Sequence, residues 1–126
     1  MEKPFSDAVR RFVLTSIPTV PHIETLLLLW RESDRDWSAQ ELARRVFVAP
    51  AQAESIVDDL CRADLLQCEG EPRRVRCRRE PASLIALLAE LDHAYTRHLR
   101  QVTALIHSSV ERSAERFAQA FTGELH

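Results

Sequence analysis

Ser38-Ala39-Gln40-Glu41-Leu42-Ala43 and, shortly after, Val48-Ala49-Pro50-Ala51-Gln52-Ala53 carry two helix starts with one short break between them. In the first, the Ser38 side chain can accept from the amide three residues on, while Glu41 reaches back to the amide of Ser38, a capping box. In the second, Pro50 suits the first helical turn, where its missing N–H would have no partner. Leu42, Ala43 and Val46 share one face of the first helix, which ends around Phe47-Val48, and Ala53, Ile56, Val57 and Leu60 share one face of the second. Two helices packed through these faces across a tight turn are expected.

Upstream, Phe5, Val9, Phe12 and Val13 fall on one side of a helix over Pro4 to Leu14, with Ser6 as its cap and Ile17-Pro18 as its stop. An extended link from Pro18 to Pro21 then leads into Ile23, Leu26, Leu27, Leu28, Leu29 and Trp30, apolar nearly all round and suited to the centre of a core. Downstream of Ala63-Asp64 the period changes from 3.6 to 2. Leu66 and Cys68 alternate against Val75 and Cys77 around Glu69-Gly70-Glu71-Pro72, so a β-hairpin is expected, with Cys68 opposite Val75 and Leu66 opposite Cys77.

After Pro81, as far as Phe121, there is neither Pro nor Gly, and one helix of about 40 residues fits the composition. Its apolar stripe runs Leu88, Leu91, Tyr95, Leu99, Val102, Ile106 and Val110, with Phe117 and Phe121 beyond Ser113. The alternative is a break near His107-Ser108-Ser109 that folds the helix back on itself. Left in water the stripe would form the kind of patch that monomers avoid. A homodimer built on Leu91, Tyr95, Leu99, Val102, Ile106 and Val110, with Phe5, Val9 and Phe12 alongside, is therefore expected.

The 126-residue chain is short enough for one core, and its two glycines argue against an all-β fold. A net charge of -2 excludes recruitment of nucleic acid or an anionic membrane by whole-chain electrostatics. No run reaches the length of a membrane span and the N-terminus lacks the pattern of a signal peptide, so no membrane partner and a cytoplasmic location are expected. Cys61, Cys68 and Cys77 are odd in number and lack CxxC spacing, which suggests reduced thiols. A redox role for Cys61 is the alternative to a small packed side chain. His93 and His98 are spaced poorly for sharing a metal, and His107 stands farther along, so neither metal nor cofactor is expected. No Gly-rich phosphate loop, nucleophile elbow or carboxylate–histidine cluster is present, so no catalytic residue is assigned and the chain is not expected to be an enzyme.

Three short helices, the second opened by a capping box and the third by a proline, followed at once by a hairpin, are the order of a winged helix-turn-helix. Val20 to Arg79 resembles the DNA-binding unit of the MarR-type and PadR-type bacterial regulators. The flanking helices are similar to the dimerisation elements of those families. The resemblance implies a mainly α fold with a small β-hairpin wing, divided into an N-terminal helix (1–18), a winged unit (19–80) and a long C-terminal dimerisation helix (81–126). It also implies a homodimeric transcriptional regulator bound to double-stranded DNA, the third helix of the unit lying in the major groove.

By helical spacing, Ala51, Gln52, Ser55 and Asp59 would then reach outward, with Gln52 able to pair adenine and Ser55 a base or phosphate. Glu54, Asp58, Asp59 and Asp64 against Arg62 make this helix acidic, a departure from what phosphate attracts. The hairpin has the opposite sign: Arg73, Arg74, Arg76, Arg78 and Arg79 lie within seven residues. These arginines are assigned either to phosphate or, alternatively, to the chain's own Glu69, Glu71, Glu80 and acidic helix. The second alternative goes with a winged-helix module that docks a protein partner and leaves DNA alone.

Overall fold

The computed structural model describes residues 3–108. The order is α1 (Asp7–Ser16), α2 (Val20–Arg31), α3 (Ala39–Val46), α4 (Pro50–Arg62), β1 (Leu66–Glu69), β2 (Arg74–Cys77) and α5 (Ala82–Arg97), followed by helical residues 99–108. The fold is mainly α with one antiparallel hairpin, as the period change at Ala63-Asp64 suggested.

Each start has its local cause. Ser6 and Thr19 accept the amides of Val9 and His22 at the heads of α1 and α2. Pro21 therefore sits inside the first turn of α2, and the expected extended link ends earlier, at Thr19. Both halves of the capping box form at α3: Ser38 Oγ accepts from the Glu41 amide at 3.1 Å, and Glu41 Oε1 from the Ser38 amide at 2.9 Å. The Ser38 amide, ahead of the nearby Arg35 and Arg74, holds the Glu41 carboxyl down to about 2.

The two turns that follow α3 and α4 both need left-handed backbone, and neither uses glycine. Phe47 has φ 59 and Asp64 φ 64. After each, an amide reaches five residues back, from Val48 to Ala43 O and from Leu65 to Leu60 O, so the helix ends are closed by Schellman-type bonds. These reversals lay α4 across α3 and return β1 along the end of α4.

The hairpin has the expected register, Leu66 opposite Cys77 and Cys68 opposite Val75. Gly70, at φ 86, takes its turn through a conformation that a side chain would disfavour. Trp37 adds a bridge to Val75 through two bonds of 2.8 Å, making a third, one-residue strand of the link before α3. Arg35 and Arg45 flank its ring.

One apolar cluster takes Val9 and Val13 from α1, Leu26 and Leu29 from α2, Leu42 from α3, Ile56 and Leu60 from α4, Val75 from the hairpin and Leu91 from α5. Three expectations change here. Cys61 and Cys68 form a disulfide and are not reduced thiols. Spacing rules along one helix could not show this pair, because it spans a helix end, the Asp64 reversal and a strand. Only Cys77 is free; it is buried, and burial pushes its thiol up to about 11.

The C-terminal helix is not continuous, and its break falls at His98, ahead of the His107-Ser109 alternative. His98 leaves helical geometry at φ -132 and ψ 49. Bending costs a few backbone hydrogen bonds, each contributing about 1 kcal/mol net. It returns Val102, Leu105 and Ile106 to the chain's own core, and each such side chain contributes about 1.5 to 3 kcal/mol when buried. Burial wins.

The third change concerns the apolar row. Val9, Leu91, Val102 and Ile106 are already enclosed within the single chain, Phe5, Phe12 and Tyr95 are partly so, and Leu99 is 49% exposed. The row does not stand open along its length. Val110, with Phe117 and Phe121, lies outside the described residues.

Candidate nucleic-acid interface

The side of α4 away from the core presents Ala51, Gln52, Glu54, Ser55 and Asp58, all exposed. The helix has no side-chain cap at its N-terminus, where Ala49 precedes Pro50. Gln52 and Ser55 thus stand where helical spacing put them. Asp59 does not stand free. Its Oδ2 lies 2.8 Å from Nε2 of buried His22, whose Nδ1 is 2.6 Å from Thr19 Oγ1, and its Oδ1 accepts from Arg62 at 3.0 Å. Asp59 therefore pins α4 to the head of α2. Sequence spacing placed it outward because no signal in the chain pairs it with a histidine so far upstream.

Alternation along β2 buries Val75 and Cys77 and turns Arg74 and Arg76 outward. The wing arginines end on partners within the chain. Arg73 donates to Asp58 Oδ1 at 2.7 Å and to Glu54 Oε2 at 2.8 Å. Arg74 reaches Glu41 Oε1 at 2.8 Å, Arg76 meets Asp36, Arg78 meets Asp64, and Arg79 donates to Ser33 Oγ. Of the acids named from sequence, the structure brings Glu54, Asp58 and Asp64 to these arginines. Asp36 and Glu41, which lie before and within α3, were missed. They meet the wing through the Trp37–Val75 bridge, which sequence alternation within the hairpin does not reveal.

These pairs are solvent-facing; the Arg74 and Arg76 side chains are 43% and 45% exposed. Exposed pairs contribute about 0 to 1 kcal/mol each and are screened by salt. They mask the wing's field without locking it, and a phosphate oxygen can take a carboxylate's place.

Hydrogen bonds to Asp58, with its charge and that of Glu54, raise the Arg73 pKa above its ordinary value. Among the described residues no three His, Cys, Asp or Glu side chains come together as metal ligands, and no single helix is long and apolar enough to cross a membrane.

The path of the chain, with α3, a left-handed turn and α4 against a three-part sheet, invites comparison with solved structures. The Mycobacterium tuberculosis transcriptional regulator MosR superposes with a TM-score of 0.52 at 19% identity, over 93% of this chain and 86% of that one. MepR, described as a transcription regulator of the Staphylococcus aureus multidrug efflux pump MepA, superposes with a TM-score of 0.54 at 10% identity, over 95% and 89%. The fold is a winged helix-turn-helix. In its terms α3 and α4 are the helix-turn-helix pair and the β1–β2 hairpin is the wing. No family model matches the chain, and no curated protein matches it significantly in sequence.

Proposed function

We propose that the chain is a DNA-binding transcription regulator that acts as a homodimer in the cytoplasm and catalyses no reaction. The observation that carries this reading is the placement of Gln52 and Ser55, exposed on α4, beside a wing bearing Arg73, Arg74, Arg76, Arg78 and Arg79. Such a pair of elements reads base edges with the helix and holds phosphate with the hairpin. The description of MosR and MepR as transcription regulators supports it.

The test is binding to mixed-sequence duplex DNA across a salt series. Arg74→Ala, Arg76→Ala and Arg78→Ala together should weaken binding to all sequences alike, and flatten log affinity against log salt by about 0.9 for each phosphate that is no longer neutralised. Gln52→Ala should instead cost about 1 to 3 kcal/mol at one base pair and leave the slope unchanged. Absence of any retardation at ~50 mM salt, where phosphate binding is strongest, sinks the reading.

The dimer in this reading uses what the single chain leaves open. Leu99, half exposed at the His98 bend, and the partly buried Phe5, Phe12 and Tyr95 support an interface on these residues. Leu99→Glu should dissociate the dimer in sedimentation, because an unpaired charge in a closed seam is costly. Ile106→Glu would unfold the chain instead.

One observation favours a second reading. The intramolecular partners of the wing and the acid on α4 suit a winged-helix module that docks a basic protein surface and leaves DNA unbound. Folded protein that fails to retard DNA would point there.

A further inference from the structure

The Arg73 contacts differ from the rest of the wing. Arg74, Arg76 and Arg78 take carboxylates outside α4, on Glu41, Asp36 and Asp64. Arg73 alone among the five is held by α4 itself, through two carboxylates one helical turn apart. Its two terminal nitrogens donate to two separate oxygens, at 2.7 and 2.8 Å. A DNA phosphate offers a guanidinium the same thing, two anionic oxygens for two N–H donors. Glu54 and Asp58 thus provide the arginine with a phosphate-like cradle in the absence of DNA. They also leave a surplus negative charge at the junction of wing and helix, where a phosphate would approach.

We propose that Glu54 and Asp58 are an internal competitor for DNA phosphate: they hold Arg73 against α4 in the free protein and surrender it when the wing meets a duplex. The inference rests on the DNA-binding reading above and adds a control to it. Exposure makes the exchange feasible. The Glu54 and Asp58 side chains are 58% and 51% exposed, so water and salt already weaken their hold. Arg73 is the more enclosed partner at 32%, which keeps the guanidinium near α4 and ready for either anion. The acid that looked adverse to DNA binding becomes a brake on non-specific binding. A duplex must supply enough other contacts, from Gln52, Ser55 and the remaining arginines, to displace it.

The experiment compares four full-length proteins on a fluorescent mixed-sequence duplex over a salt series: the unaltered chain, Glu54→Gln with Asp58→Asn, Arg73→Ala, and all three changes together. Removing the two charges should tighten binding about threefold to tenfold at ~0.1 M salt. Arg73→Ala should then weaken binding more in the charge-removed protein than in the unaltered one, because only there is the arginine free before DNA arrives. In that background it should also flatten the salt slope by about 0.9.

Equal losses in both backgrounds would mean that the carboxylates merely repel DNA, and would overturn the competitor. Unchanged affinity after charge removal would overturn it too, while leaving the DNA-binding reading intact. Binding at ~0.1 M salt that appears only after charge removal, while the unaltered chain still retards DNA at ~50 mM, supports both. If none of the four proteins binds at ~50 mM salt, the DNA-binding reading fails and takes the competitor with it. Thermal melting of each protein, with Asp58→Asn alone as a milder variant, separates lost binding from lost fold.

Discussion

α4 and the wing are built alike on their inner sides and oppositely on their outer ones. Leu60 and Ile56 on the helix, and Leu66 and Val75 on the hairpin, enter the same apolar cluster. Outside, the helix carries Glu54 and Asp58 while the hairpin carries arginines, and the two outer sets meet through Arg73. The inner sets hold the winged unit together and leave the outer sets free to vary without loss of fold. Charge on the outside is therefore the guide to partners, and apolar residues on the inside are the guide to architecture.

The widest gap between inside and outside should appear in stability. Leu60→Ala and Leu66→Ala, one from each region, should each cost about 2 to 5 kcal/mol in chemical denaturation through lost burial and an unfilled cavity. The outward Arg76→Ala should cost less than about 1 kcal/mol. A similar loss from Arg76 would show that the outer pairs carry the fold after all.

The next effect concerns the covalent tie between the regions, Cys61–Cys68. Closing so short a loop limits the unfolded chain, and by loop entropy alone reduction should lower stability by about 2 kcal/mol. Melting with and without reductant, and of Cys61→Ser, measures it; equal curves would show that packing alone joins helix to wing. Phe47 sets the geometry at the other end of α4. It is 92% exposed and left-handed, so its ring loses nothing by removal while its backbone is relieved. Phe47→Gly should raise stability by about 1 kcal/mol. A destabilised variant would mean that the exposed ring contacts something in the folded protein.

The last effect is read against pH at the capping box, which also receives Arg74 from the wing. Glu41 titrates at about 2 when folded, below its ordinary 4.5. A depressed folded pKa contributes stability that is present above the unfolded value and is lost as pH falls from about 4.5 towards 2. Denaturation between pH 5 and pH 2.5 should therefore show a fall in stability that is shallower in Glu41→Gln. Parallel curves would assign the acid sensitivity elsewhere.

Several features were legible because their causes are local. Ser38 and Glu41 specify a cap within one turn, Pro50 marks a first turn, and period 2 across Leu66, Cys68, Val75 and Cys77 sets the register. Exposure of Gln52 and Ser55 followed from the same helical spacing that buries Ala53 and Ile56. The partners of the charged groups were less legible. Arg73 with Asp58, Asp59 with His22 and Arg76 with Asp36 join residues on different elements, and no periodicity links them.

By itself, the amino-acid sequence determined the number and order of the helices through α5, the caps of α1 and α3, the hairpin and its register. These depend on residues within a turn or a strand pair of one another, where spacing decides which side chains can meet. Tertiary structure alone decided the Cys61–Cys68 bond, the masking of the wing and the bend at His98. In each of these the deciding partner lies on another element. The bend shows the reason most plainly: propensity between Pro81 and Phe121 favours an unbroken helix by tenths of a kcal/mol per residue, while the core offers Val102, Leu105 and Ile106 about 1.5 to 3 kcal/mol each for folding back.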